Sequence, residues 1–151
     1  MNETARFSTP EAAHILDLPV ETFRTQLKAG YLPEFTEREP GTWRSFNAGD
    51  LVYYQVALGL ANCNVPMATA ARFVSAARLN LLSNGVDVFE RETVYFYLKL
   101  DSHGSVVDWG ECDVSDLGVS LLQGPKAAVC VVLDLMEIRC SILNRISNLA
   151  S

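Results

Sequence analysis

Proline and glycine interrupt the first half of this chain so often that only short elements fit between them. Ser8-Thr9-Pro10-Glu11 reads as a capping box, with Phe7 in the staple position before it. The helix it opens runs through Ala12, Ala13, Ile15 and Leu16. Pro19 ends it, because a residue before proline avoids helical backbone. A second helix starts at Pro19 or Val20, with Val20, Phe23 and Leu27 on its apolar face. Its other face carries Glu21, Thr22, Arg24, Thr25 and Lys28, and Gly30 suits its C-terminal cap. Two short helices joined by Asp17-Leu18-Pro19 have the outline of a helix-turn-helix.

The next segment reads as a β-hairpin. Glu34 to Arg38 forms one arm, Pro40-Gly41 sits at the centre of a type II turn, and Trp43 to Phe46 returns. Asn47 caps a third helix with Leu51, Tyr54 and Leu58 on one face. Pro66 fits the first turn of a fourth, in which Ala70, Phe73, Val74, Ala77 and Leu81 recur at helical spacing. Ser83-Asn84-Gly85 breaks that pattern.

Beyond the break the periodicity changes. Thr93 to Leu100 is rich in strand formers, Asp101 to Gly104 is a turn, and Ser105 to Trp109 returns as a second strand. Gly110 to Asp116 reads as an acidic loop, and Leu117 to Lys126 as a mobile segment. Ala127 to Leu133 is a continuous apolar run, expected to be a buried strand. Met136 to Leu149 has helical spacing. The expected fold class is therefore α+β. A four-helix segment with a hairpin wing occupies residues 1–82, and a small antiparallel sheet with a closing helix occupies residues 86–151.

Composition narrows the function classes. The chain has 151 residues, of which 49% are hydrophobic and 20% charged, an ordinary globular mixture that excludes bulk disorder. No apolar run is long enough to cross a membrane as a helix. Met1 to Arg6 has no apolar run, so a secretory signal is not expected, and a cytoplasmic location is. The net charge of −6 argues against a general polyanion binder. The charge is uneven. Residues 1–80 carry seven bases and eight acids, whereas residues 81–151 carry five bases and ten acids. A local basic face is thus open to the N-terminal half alone.

Cys63, Cys112, Cys130 and Cys140 form no C-x-x-C pair, and His14 and His103 are the only histidines. Four reduced, mostly buried thiols are expected. Asp108, Glu111, Asp113 and Asp116 lack the order of a calcium loop. No nucleophile–base pair or phosphate-cradling glycine loop stands out. The residues assign no cofactor, no metal and no enzymatic activity.

The order of the N-terminal elements resembles the MerR-like winged helix-turn-helix regulators. Phe7-Ser8-Thr9-Pro10-Glu11-Ala12-Ala13 is similar to the family's opening. Glu21-Thr22-Phe23-Arg24 is similar to its Thr-Leu-Arg in the recognition helix. Ala29-Gly30-Tyr31-Leu32-Pro33 resembles its Gly-Leu-Leu/Ile-Pro run. Gly41-Thr42-Trp43-Arg44-Ser45-Phe46 resembles its Gly-x-Tyr/His-Arg-x-Tyr/Phe wing, and Asp50-Leu51 the Asp-Leu that follows. Excisionase-type DNA binders share this layout.

The resemblance implies double-stranded DNA as partner and a homodimer as the acting unit. It places Arg24 against DNA from the recognition helix and Arg44 against a phosphate from the wing. Thr22, Thr25 and Lys28 share the exposed face of Arg24, and Arg38 is a weaker candidate because Glu34 or Glu37 can pair with it. Phe23, Leu27, Ala12 and Leu16 are expected in the core, as are Tyr53, Tyr54 and Phe73, with His14 at the surface. The acidic wing, with Glu34, Glu37 and Glu39, favours a second reading, a protein-interaction module that keeps the fold. The C-terminal half is expected to dimerise, through Ala127 to Leu133 or through the last helix, with two alternatives: a small-molecule sensor whose strands line a pocket with Tyr95, Tyr97 and Trp109, or a surface for a protein partner.

Overall fold

The computed structural model describes residues 5–31, 44–83 and 95–149, with the side chains of 80–83 excepted. The expected hairpin arm at 34–38, the Pro40-Gly41 turn, Trp43 and the side chain of Leu81 lie outside the described residues. Among the described residues the chain is α+β, with six helices and two antiparallel sheets.

The first sheet is a single pairing of β1 (Phe7–Ser8) with β2 (Ser45–Phe46). The described end of the expected wing strand thus pairs with the residues that lead into the first helix. Side-chain chemistry explains it. Phe7 stands opposite Phe46, and the buried Phe46 ring lies 5.3 Å from that of Phe23. Phe7 is therefore a strand residue packed on the core, not only a staple.

Helix α1 (Thr9–Ile15) opens as the sequence reads. The Glu11 carboxylate accepts from the Ser8 N–H at 2.7 Å and from the Ser8 hydroxyl at 2.6 Å. These bonds lower the Glu11 pKa, the side-chain bond foremost. The helix ends in a Schellman motif: Leu18 donates to the Ala13 carbonyl and Asp17 to that of His14. Asp17 adopts φ 55°, where glycine is commoner and Asp is tolerated. Helix α2 (Val20–Lys28) follows and stops at Gly30, φ 69°.

Helix α3 (Ala48–Asn62) is the centre of the molecule. Asn47 and Asp50 bond reciprocally at its start, each at 2.8 Å. The expectation of one apolar face understates it. Leu51, Val52, Tyr53 and Tyr54 are consecutive and all buried, so neighbours cover the helix on several sides. Helix α4 (Met67–Ser83) and the last helix both pack on it. Arg78 of α4 donates to the Asp50 carboxylate at 2.7 Å and lies over the Tyr53 ring. That carboxylate both caps α3 and anchors α4.

The second sheet has the order β4–β3–β5, with β3 (Tyr95–Leu100), β4 (Val106–Cys112) and β5 (Val129–Asp134). Phe96 and Leu98 point into the core shared with α3 and α6 (Leu135–Leu149). Trp109 packs on Phe73 of α4 at 5.4 Å. Gly59 of α3 lets Leu133 of β5 approach closely, since a Cβ there would stand 3.1 Å from Leu133 Cδ1. Arg145 of α6 donates to the Ile15 carbonyl at the end of α1. One apolar cluster therefore includes residues from both halves of the chain.

Three expectations are corrected. Residues 110–112 belong to β4, and helix α5 (Val114–Leu122) takes up the end of the acidic loop and residues 117–122 of the segment expected to be mobile. Val114, Leu117 and Leu121 have helical spacing, but Gly118 between them weakens the pattern. The apolar run 127–133 is no buried strand throughout: Val129 and Cys130 are exposed, and β5 is an edge of the sheet among the described residues. Of the four free thiols only Cys112 is buried.

Helix α5 covers the face of the sheet that carries Tyr95, Tyr97 and Lys99. Lys99 is fully buried there. Its ammonium donates to Asp108, directly opposite on β4, at 2.9 Å, and to the Gln123 carbonyl just after α5 at 2.6 Å. Tyr97 lies over Gly110, where a Cβ would meet its hydroxyl at 2.9 Å, and burial pushes its phenol pKa up. Burial likewise raises the Cys112 thiol, against a bond from Ser120 that lowers it.

Two outcomes follow. Lys99→Met leaves Asp108 without its cation and α5 without its tie. It should lower the unfolding free energy by about 2–3 kcal/mol in urea titration, less than for a fully buried pair because Asp108 keeps water contact. In the native protein a chromogenic disulfide should titrate Cys63, Cys130 and Cys140 rapidly, and Cys112 only after denaturant is added.

Candidate nucleic-acid interface

The face that the sequence singles out is built on α2. Phe23 and Leu27 are buried, and the Phe23 ring sits between Phe46 and Tyr54. That seam fixes which side of the helix turns outward. Thr22, Arg24, Thr25 and Lys28 are all exposed on it. Gln26 accepts from the Tyr54 hydroxyl at 2.7 Å and ties the flank of α2 to α3. Burial holds the Tyr54 phenol far above its usual range, so it stays a donor at any physiological pH.

Two of the four exposed residues have local partners. Arg24 pairs with Glu21 one turn back, with Arg24 about half exposed and Glu21 more so. A pair so exposed is worth at most about 1 kcal/mol, so a phosphate can displace it. Thr25 donates its hydroxyl to the Glu21 carbonyl at 2.8 Å. Lys28 ends the helix and complements its C-terminal dipole.

Arg44 immediately precedes β2 and is half-buried. The β1–β2 pairing holds its backbone beside the start of α1. Arg38 lies outside the described residues. The structure thus brings Thr22, Arg24, Thr25 and Lys28 onto one face, and sets Arg44 just before the strand that packs beneath α2 through Phe46.

Sequence reasoning missed the parts that hold this face in place. Nothing in spacing pairs Gln26 with Tyr54, 28 positions apart, or Arg78 with Asp50. It also passed over Arg6, exposed at the entrance to β1. The charge count alone was its signal. His14 is exposed as expected. Among the described residues no three His, Cys, Asp or Glu side chains gather as a metal site, and no helix is long and apolar enough to cross a membrane.

Compared with protein-family models and with curated proteins, the chain matches none. The face on α2 therefore rests on its own geometry.

Tyr54→Phe removes one buried hydroxyl and leaves Gln26 able to reach water. The expected loss is about 1 kcal/mol in chemical denaturation, with the near-ultraviolet spectrum of the folded state otherwise retained.

Proposed function

We propose that the chain is a sequence-specific DNA-binding transcriptional regulator acting as a dimer, with residues 1–82 forming a MerR-like winged helix-turn-helix. The observation that carries this reading is the exposed Thr22, Arg24, Thr25 and Lys28 face on a short helix whose opposite side is locked by Phe23 and Leu27. Side chains of this kind suit a major groove. Arginine reads guanine edges bidentately, threonine offers a hydroxyl and a methyl, and lysine meets phosphate. The Asp17 turn, the placement of Arg44 just before β2 and the β1–β2 pairing support it. Few phosphates would be neutralised per chain, so a two-fold dimer supplies the affinity that one copy lacks.

A protein-interaction module is the second reading. The Glu21–Arg24 pair favours it, since that carboxylate stands where phosphates would approach.

Site selection from random duplexes separates the two. The regulator should select a palindrome, with a log–log salt slope of several units. Arg24→Ala should cost about 1–3 kcal/mol and relax preference at one position of each half-site. Arg44→Ala should weaken all sites alike and reduce the slope by about one per chain. Glu21→Ala should strengthen binding to every duplex. A folded protein that selects no site at low salt overturns the DNA reading and leaves the interaction module.

A further inference from the structure

A helix that stops leaves its last carbonyls in need of donors. At the end of α1 the Schellman bonds of Leu18 and Asp17 serve the carbonyls of Ala13 and His14. The carbonyl of Ile15, the last helical residue, is served from the other end of the chain. The Arg145 guanidinium of α6 donates to it at 2.8 Å, across 130 positions of sequence. A cation there also suits the negative end of the helix dipole.

Helix α6 reaches this point as a fixed strut. Leu135 and Ile142 are buried, and Ile138 and Ile146 pack on the same core. Arg145 lies at the margin of that stripe and is partly buried. From Ser141 to Leu149 the helix carries no acid, so no carboxylate lies one turn away to claim the guanidinium. Among the described residues its partner is the Ile15 carbonyl. A charge-assisted bond of this kind is stronger than a neutral one, and it is directional.

That carbonyl belongs to the joint on which α2 turns. Leu16, Asp17, Leu18 and Pro19 carry the chain from α1 into α2, with Asp17 in the left-handed region. The Pro19 carbonyl accepts from the Phe23 N–H at 3.0 Å and opens α2. The seam of Phe23, Tyr54 and Gln26 sets the rotation of α2 about its own axis. The turn sets where α2 begins and how it is inclined to α1.

We propose that Arg145 is a positioning residue for the α2 face. By holding the Ile15 carbonyl, α6 fixes the turn, and with it the direction in which Thr22, Arg24, Thr25 and Lys28 are presented. The C-terminal half thereby takes part in recognition without touching the ligand, and a displacement of α6 at Arg145 regulates the face. The consequence for DNA rests on the reading above, whereas the hold on the turn does not.

The full chain is compared with Arg145→Met, which keeps the aliphatic stem and removes the donor, and with Arg145→Lys, which keeps a donor. Hydrogen–deuterium exchange reads the turn without DNA. In Arg145→Met the amides of Asp17, Leu18 and Phe23 should exchange about tenfold faster, and those of β3 at the wild-type rate. Arg145→Lys should stay within about threefold of wild type at the same amides. Titration of the duplex site selected by the wild type reads the face. Arg145→Met should raise its Kd about tenfold and leave both the affinity for unrelated duplex and the salt slope unchanged, because no phosphate contact is lost.

Unchanged exchange at the turn overturns the proposal. So does a uniform rise across the chain, which marks a loss of stability alone, and so does faster exchange at the turn with site affinity intact. A salt slope lowered by about one per chain makes Arg145 a phosphate contact and overturns the positioning role as well. If the wild type selects no site, the DNA reading falls alone, and exchange at the turn still decides whether Arg145 holds it.

Discussion

Helix α3 is buried on adjacent sides at once, and the rest of the fold is arranged to satisfy that demand. Leu51, Val52, Tyr53 and Tyr54 point in successive directions around the axis, so no single layer can cover them. The neighbourhood of α2 takes the Tyr54 side, α4 takes the side of Asp50 and Tyr53, and the strand β5 takes the side of Gly59. The candidate DNA-binding face inherits its orientation from this. Phe23 is held between Phe46 and Tyr54, and Gln26 is bonded to Tyr54, so the rotation of α2 about its own axis is fixed from α3.

The polar contacts divide between two tasks. Asp50 with Arg78 joins two helices distant in sequence, and the buried Lys99 joins neighbouring strands through Asp108 and the end of α5 through Gln123. Such pairs contribute little net stability against well-packed apolar alternatives, but they penalise wrong arrangements heavily. Arg24 with Glu21 is different. It is local and exposed, costs little to break, and leaves the arginine free to exchange one anion for another.

The N-terminal helices were legible because their limits are written in side-chain chemistry. Ser8 with Glu11, Asn47 with Asp50, Pro19 and Gly30 each mark an end where the structure has one. The four exposed residues on α2 were equally legible from spacing alone. The C-terminal half was harder. Helix α5 has a glycine at 118 and three outward apolar residues, Val114, Val119 and Leu122, so its pattern is blurred. The apolar run in β5 gave the right element and the wrong environment. Apolarity reports what a strand can be buried by, not whether a neighbour covers it. Long-range pairs such as Lys99 with Gln123 carry no periodic signal.

Gly59 has a consequence of an evolutionary kind. Leu133 Cδ1 lies where the missing Cβ would press, so the distance between helical layer and sheet is measured by a single hydrogen atom. Alanine at 59 obliges the Leu133 side chain to give way by a few tenths of an ångström, and a smaller side chain at 133 opens space that alanine at 59 would fill. The two positions, far apart in the chain, are coupled by that contact. Their joint drift in related sequences would show the two halves of the molecule changing as a single lineage.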